Sequence, residues 1–379
     1  MTVMTVNAGS SSVRLAAFVP QGESLSRRAS GHFSGDRDDP AAMLRAFLKE
    51  HGIGEVAVVA HRIVHGGSRL TAPCVLDDAV EAEIGRLIPL APLHNPAALR
   101  WVAACRAVFG AETVQVAVFD TAFYTALPEV AATYALPRAL CARHGIRRYG
   151  FHGLAHEAMW RRWCALRPPA RRGGCAITLQ LGAGCSITAI RDGRAIDTSM
   201  GFSPLEGLVM ATRAGDVDPG ALTFLARAEG LSLERLERLL NEEAGLLGLS
   251  GTSGDMRALL AADDEDARLA VDVYCYRARK YIGAYLAALG GAAAILFGGG
   301  VGEHAPSVRT KILSGLGWLG IMLDPAANRA AVGTEMRISN RSSEAEVWVI
   351  PVDEAAILAQ AALAVMATRE AVNVQEERS

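Results

Sequence analysis

A short glycine phrase occurs twice in this sequence, each time directly behind an apolar stretch. The first copy is Asn7-Ala8-Gly9-Ser10-Ser11-Ser12, after residues 1–6. The second is Leu181-Gly182-Ala183-Gly184-Cys185-Ser186, after residues 175–179. Apolar residues resume behind each phrase, so each is expected as the turn of a strand-turn-strand hairpin. Small residues in such a turn let backbone N–H groups approach an anion closely. The Gly-Lys-Ser/Thr ending of a helix-capping phosphate loop is absent. Two copies 175 positions apart, counted from Gly9 to Gly184, predict two related domains gripping one polyphosphate in a cleft between them.

The rest of the chain fits that expectation. At 379 residues and 51% hydrophobic content it can build two cores. Strands are expected at residues 1–6, 13–19, 56–60, 114–119, 176–181, 186–191, 293–297 and 347–352. Helices are expected at 41–51, 96–108, 154–166, 233–243, 264–288, 307–315 and 354–368. Strands with helices between them indicate an α/β fold. The expected division is residues 1–122 plus 358–379 for one domain and 123–357 for the other. Residues 31–40 read as a charged, solvated connector, residues 167–174 as a linker and residues 369–379 as a polar tail.

A net charge of −2 provides no field that would recruit nucleic acid or a membrane surface. Nearly all the basic residues are arginine, whose planar fork suits phosphate and carboxylate. The seven cysteines form no CxxC pair and read as core residues in a reducing cytosol. Residues 1–6 lack the pattern of a signal peptide. Residues 281–302 are long enough to cross a membrane, but Gly290-Gly291 and Gly298-Gly299-Gly300 divide them into a helix end, a strand and a loop.

The middle of the chain carries polar and small residues that a core does not need. The run from Asp197 to Pro219, DTSMGFSPLEGLVMATRAGDVDP, resembles the signature of the acetate and propionate kinase family. So do Asn7–Ser12, His61-Arg62-Ile63-Val64-His65-Gly66-Gly67, Ala91-Pro92-Leu93-His94-Asn95-Pro96, Phe119-Asp120-Thr121-Ala122-Phe123, Tyr149-Gly150-Phe151-His152-Gly153, Gly251–Arg257 and Gly298–Glu303. The matches keep the family's order over nearly the whole chain. The resemblance implies two duplicated domains of the actin, ribonuclease H-like, sugar kinase and Hsp70 type, with nucleotide in the cleft, and a homodimer in the cytoplasm.

It also implies a reaction: reversible, in-line phosphoryl transfer between ATP and a short carboxylate, giving acyl phosphate and ADP. A carboxylate nucleophile is already ionised, so the site must neutralise charge and align groups rather than supply a strong base. By resemblance Arg62 and Arg213 meet the carboxylate and the transferring phosphoryl, and His152 bonds the phosphoryl in transit. Outside these motifs either arginine would read as a surface ion pair. Asp120 and Glu354 are read as ending apolar strands, Asp120 orienting metal and substrate. Asn7 and Glu354 are the implied Mg2+ ligands, with Mn2+ as the alternative ion. Glu354 also reads as one of an acidic pair at a helix N-terminus. Val64, Leu93, Phe151 and Pro204 match the acyl pocket, and His94 a supporting position. Asn7, Ser10, Ser12 and Arg14 belong to the first hairpin and Gln180, Gly182, Ala183 and Gly184 to the second. Asp255, Met256, Arg257, Gly300, Val301 and His304 match the nucleotide site, where Gly300 leaves room for the adenine ring. His152 and His156, four apart, also have the spacing of metal ligands on a helix. However, no third ligand is evident and Gly153 suggests a turn between them.

Two departures from the family stand out. The second hairpin reads Gln180-Leu181-Gly182-Ala183-Gly184 where the family has His-Leu-Gly-Asn-Gly, so a side-chain amide aimed at the nucleotide phosphates is missing. Gly302-Glu303-His304-Ala305 replaces Gly-Glu-Asn-Ser. Acetate and propionate stay unseparated, because a small apolar pocket distinguishes them by only about 1–3 kcal/mol. The altered hairpin also leaves two further readings open: a relative with pyrophosphate as donor, and a non-catalytic nucleotide-binding protein.

Overall fold

The computed structural model describes residues 1–9, 12–22, 24–34, 39–92 and 94–376. The chain forms two compact units, Met1–Thr125 with Asp353–Ser379, and Ala126–Val352. The division falls before the last helix, Glu354–Glu376, rather than inside it, because that helix packs as one piece on the first unit's sheet.

The first unit holds β1 (Val3–Ala8), β2 (Ser12–Gln21), β3 (Ser24–Ser34), β4 (Val58–Ile63), β5 (Cys74–Val75) and β6 (Val114–Phe119), in the sheet order β3-β2-β1-β4-β6-β5. The second holds β7 (Cys175–Leu181), β8 (Cys185–Arg191), β9 (Arg194–Thr198), β10 (Ala294–Gly298), β11 (Met336–Arg337) and β12 (Glu346–Val349), in the order β9-β8-β7-β10-β12-β11. The two orders are the same. Each unit opens with an antiparallel three-strand meander, continues through two parallel neighbours and closes with a short antiparallel edge. The two glycine turns occupy equivalent places in this order, joining β1 to β2 and β7 to β8. In the first, Gly9 N–H donates to the Ser12 carbonyl at 2.8 Å. In the second, Gly182 N–H donates to the Gly184 carbonyl at 3.1 Å.

Every residue of β1 is buried, so both faces of the sheet are covered. Met4, Val6 and Ala8 pack with Leu44, Phe47, Trp101 and Cys105 of the helices Pro40–Glu50 and Asn95–Phe109. Alternation of side chains sends Val3, Thr5 and Asn7 to the opposite face, and the last helix also packs against β1. In the second unit the helix Gly153–Leu166 lies on β7 and β10. Its Met159 and Trp163 pack against Ala176, Ala294 and Leu296. Among the described residues no helix is long and apolar enough to cross a membrane. All seven cysteines are unbridged.

Four local expectations are corrected. Residues 31–34, expected in a connector, end β3, which pairs along β2 through backbone bonds that need no apolar side chains. Residues 35–38 lie outside the described ones. The stretch after β10 is a short helix, Gly299–His304, rather than a loop. Strand β12 stops at Val349, so Glu354 stands in the first turn of the last helix and ends no strand. Gly153 makes no turn between His152 and His156: His152 caps the helix in a left-handed conformation (φ 57°) and Gly153 begins it.

Candidate active site

Strand register assembles the first unit's cluster. β1 and β4 run parallel with Val6 opposite His61, and β4 and β6 run parallel with Arg62 opposite Val118. Asn7, Arg62 and Asp120 therefore share one face at the C-terminal ends of adjacent strands, the position from which α/β sheets present functional groups. The last helix covers that face and brings Glu354. Arg62 donates from Nε to Asp120 Oδ1 at 3.0 Å and from Nη2 to Asp120 Oδ2 at 2.6 Å, a bidentate grip on a fully buried carboxylate. Its Nη1 donates to Asn7 Oδ1 at 3.1 Å, and Asn7 Nδ2 donates to Glu354 Oε2 at 2.6 Å. Burial works against the Arg62 charge, but Asp120 and Glu354 outweigh it and hold the guanidinium above the usual arginine range. Asp353 accepts from Ala356 N–H and pairs with Arg27, so it caps the helix and leaves Glu354 for the cluster.

The donor set here is hard oxygen: the Glu354 carboxylate and the Asn7 amide oxygen, with Asp120 committed to Arg62. This suits Mg2+, which takes one or two carboxylates and completes its shell with water and phosphate oxygens. It does not amount to a protein-only cage. Among the described residues no group of three or more His, Cys, Asp or Glu could hold a metal. His152 and His156 both bond the Ser186 hydroxyl.

The second unit's cluster forms around its glycine turn. A Cβ built on Gly184 would sit 3.3 Å from His152 Nε2 and 3.6 Å from Arg213 Nη2. The imidazole and the guanidinium thus converge beside that turn, and the missing side chain makes room for both. Arg213 is held by its Nη1 donating to the Pro204 carbonyl at 2.8 Å, and burial pushes its guanidinium below the usual arginine range. The loop that carries it is closed by reciprocal bonds between Gly207 and Asp216.

The helix Gly299–His304 approaches the same turn. Gly299 has φ +76°, and a Cβ there would meet the Leu181 backbone at 2.6 Å, so only glycine allows the contact. Beside Gly300 a Cβ would meet nothing within 4 Å. Glu303 Oε1 accepts from Gly299 N–H at 2.9 Å and Val352 N–H at 3.1 Å. His304 Nδ1 lies 3.1 Å from the Gly300 carbonyl. Asp255 caps the helix Met256–Ala261 and pairs with the exposed Arg257.

Of the remaining expected residues, Val64 and Phe151 are buried, Ser12, Val301 and Pro204 half-buried, and Arg14 and Ala183 exposed. His94 caps the helix Asn95–Phe109. Gln180 pairs with Ser186 across the hairpin, and its buried Oε1 has no hydrogen-bond partner. Ser10 and Leu93 lie outside the described residues. Sequence reasoning missed Ser186, Thr178 and the structural role of Glu303. It also missed Arg309, fully buried, whose guanidinium donates to the Gly302, Glu303, Asn328 and Ala331 carbonyls and so locks the helix Gly299–His304. Burial pushes Arg309 down to about 10. The Thr178–Ser186 spacing of strand β7 and its partner held the only sequence signal: polar residues on one face of otherwise apolar strands.

Two sheets of one topology, each presenting an arginine near a glycine turn at a strand end, define a duplicated α/β protein with anion-binding chemistry. The family model described as the acetokinase family matches residues 36–360, and the chain belongs to that family. It is 50% identical to an acetate kinase of Solibacter usitatus over 312 residues, covering 81% of this chain and 75% of the relative. It superposes on the crystal structure of Porphyromonas gingivalis acetate kinase with a TM-score of 0.85 and 38% identity, and on that of a propionate kinase from Francisella tularensis with 0.87 and 33%. Each comparison covers 96% of this chain and 99% of the other.

Proposed function

We propose that this chain is a phosphotransferase with a carboxyl acceptor, moving the γ-phosphoryl of ATP reversibly onto acetate, with propionate as a further acid. The observation that carries this reading is the buried Arg62 cluster of Asn7, Asp120 and Glu354, in a chain of the acetokinase family. Arg62, fixed by Asp120, neutralises the substrate carboxylate as it approaches. Val64, Leu93, Phe151 and Pro204 enclose its alkyl group. Arg213 and His152 meet the transferring phosphoryl, where a cation and a donor lower the barrier by spreading charge. Asn7, Ser10, Ser12 and Arg14, with Gln180, Gly182, Ala183 and Gly184, contact the phosphates. Asp255, Met256, Arg257, Gly300, Val301 and His304 receive the nucleoside. Glu354 and Asn7 would hold Mg2+, or Mn2+, which when bound neutralises phosphate charge. The protein acts on small molecules as a cytoplasmic homodimer, without nucleic acid or membrane.

Purified protein given ATP, Mg2+ and acetate or propionate, with hydroxylamine to trap acyl phosphate, tests this reading. Trapped hydroxamate is expected, and its absence with every acid overturns it. A second reading, pyrophosphate as donor, rests on Ala183 and Gln180 in the second turn. Product with pyrophosphate and none with ATP would establish that reading instead.

A further inference from the structure

Beneath the helix Gly153–Leu166 four side chains and one carbonyl form a continuous line. His152 Nδ1 lies 2.9 Å from Ser186 Oγ, and the same Oγ lies 2.7 Å from His156 Nε2. His156 Nδ1 lies 2.6 Å from Thr178 Oγ1, whose hydroxyl donates to the Thr188 carbonyl at 3.4 Å. His156, Thr178 and Ser186 are fully buried. The strand register explains the line. Thr178 faces Thr188, and Gln180 faces Ser186, on the side of the hairpin that the helix covers.

The carbonyl at the far end can only accept, so a Thr178 hydroxyl that donates to it sets the direction of every other bond. With its single proton on Thr188, the Thr178 oxygen accepts from His156 Nδ1–H. Burial pushes the His156 imidazole down to about 3 and keeps it neutral, with one N–H only. Its Nε2 is then the acceptor for Ser186 O–H, and the Ser186 oxygen is left to accept from His152 Nδ1–H. We infer that Thr178, His156 and Ser186 form a one-way hydrogen-bond chain that holds the proton of neutral His152 on Nδ1. They are positioning residues, acting through His152, the ring that lies against Gly184.

The inference rests on the reading of His152 as a phosphoryl ligand, and it specifies how that ligand works. With its proton on Nδ1, neutral His152 presents a lone pair at Nε2, which with Cε1 forms the ring edge beside Gly184. Arg213 is the charged group beside it, with neutral His156 on its own helix and Ser186 and Thr178 on the strands. A lone pair is favoured next to a guanidinium. A phosphoryl anion brought to the same place favours the imidazolium, which donates from both nitrogens.

The test is nitrogen-15 NMR of histidine-labelled protein, with His152 assigned by its loss in His152→Asn. The neutral wild-type ring should show a protonated Nδ1. In Ser186→Ala, and in Thr178→Val, which never touches His152, the ring should shift towards the Nε2–H form. A wild-type Nε2–H ring, or one unmoved in both variants, overturns the chain. Alongside this, kcat should fall at least tenfold in Thr178→Val with the KM for ATP unchanged within twofold. A moved tautomer with unchanged kcat would leave the chain standing and sink the role of His152 at the phosphoryl instead.

Discussion

Arg62 grips Asp120 with two of its nitrogens while a third reaches Asn7, so one guanidinium sets the arrangement of three strand ends. Asp120 is fully buried and Arg62 nearly so. Such a pair contributes little net stability when intact, yet removing one partner strands the other charge.

Asp120→Ala should therefore cost about 3 kcal/mol of stability. Glu354, which also supports the Arg62 charge, limits the loss. Arg62→Lys should preserve more stability but lose the bidentate fork, dropping turnover by about a hundredfold, since a point charge cannot reproduce the geometry. Urea unfolding and the hydroxamate assay check the two parts. An Arg62→Lys enzyme at full speed would refute the role of the fork.

At Gly184 the space for one methyl group is contested by His152 and Arg213. The backbone there is not in the left-handed region, so alanine is accommodated by the chain itself. Gly184→Ala should fold with a melting temperature close to that of the parent and lose turnover by about 10- to 100-fold, from two displaced groups. Arg213→Ala should lose more, about a thousandfold or 4 kcal/mol of barrier, with nucleotide binding kept. Calorimetry and kcat measured side by side decide. If Gly184→Ala lost stability and kept its rate, the turn would be a folding element only.

The two hairpins and the α/β class were legible in the sequence, because glycine next to an apolar strand has few uses and alternating strands and helices follow from residue type and spacing. The roles of the site residues came from the resemblance to a family. What escaped notice is governed by partners rather than by pattern. β3 is an edge strand, SLSRRASGHFS, whose one buried apolar side chain among the described ones is Ala29, and its pairing with β2 is a backbone matter. Glu354 was expected at a strand end because residues 347–352 are apolar, but β12 ends at Val349, with Ile350 N–H still bonding the Phe297 carbonyl of β10, and Glu354 begins the last helix. Ser186 and Thr178 looked like ordinary strand residues until the register set them facing His156.

Ala183 is exposed in the second turn, at the position where the resemblance to the family implies an asparagine. Ala183→Asn should restore a side-chain donor to the nucleotide phosphates without disturbing packing. A hydrogen bond to a charged group contributes about 1.5–3 kcal/mol, so the KM for ATP should fall by about tenfold or more, with kcat for saturating ATP little changed. Steady-state kinetics at fixed acetate reads this directly. An unchanged KM would mean that the turn's backbone alone carries the phosphate contact.

Acid should destabilise both units through buried histidines. Burial pushes His61 down to about 4 and His156 to about 3, with the Gln115 hydrogen bond to His61 only partly opposing it. Unfolded histidine titrates near 6.5. Between that value and the folded ones the unfolded chain binds more protons than the native chain, so stability rises with pH across this window. The native state should be at full strength above about pH 7 and lose on the order of a few kcal/mol on going from pH 6.5 to 4. His61→Asn should lower stability at neutral pH, because a packed ring is lost, while flattening the acid decline by its own share. Urea midpoints measured from pH 7.5 to 4.5 for both proteins check this. A parent midpoint that stayed level through pH 5 would show that neither ring is held neutral by burial.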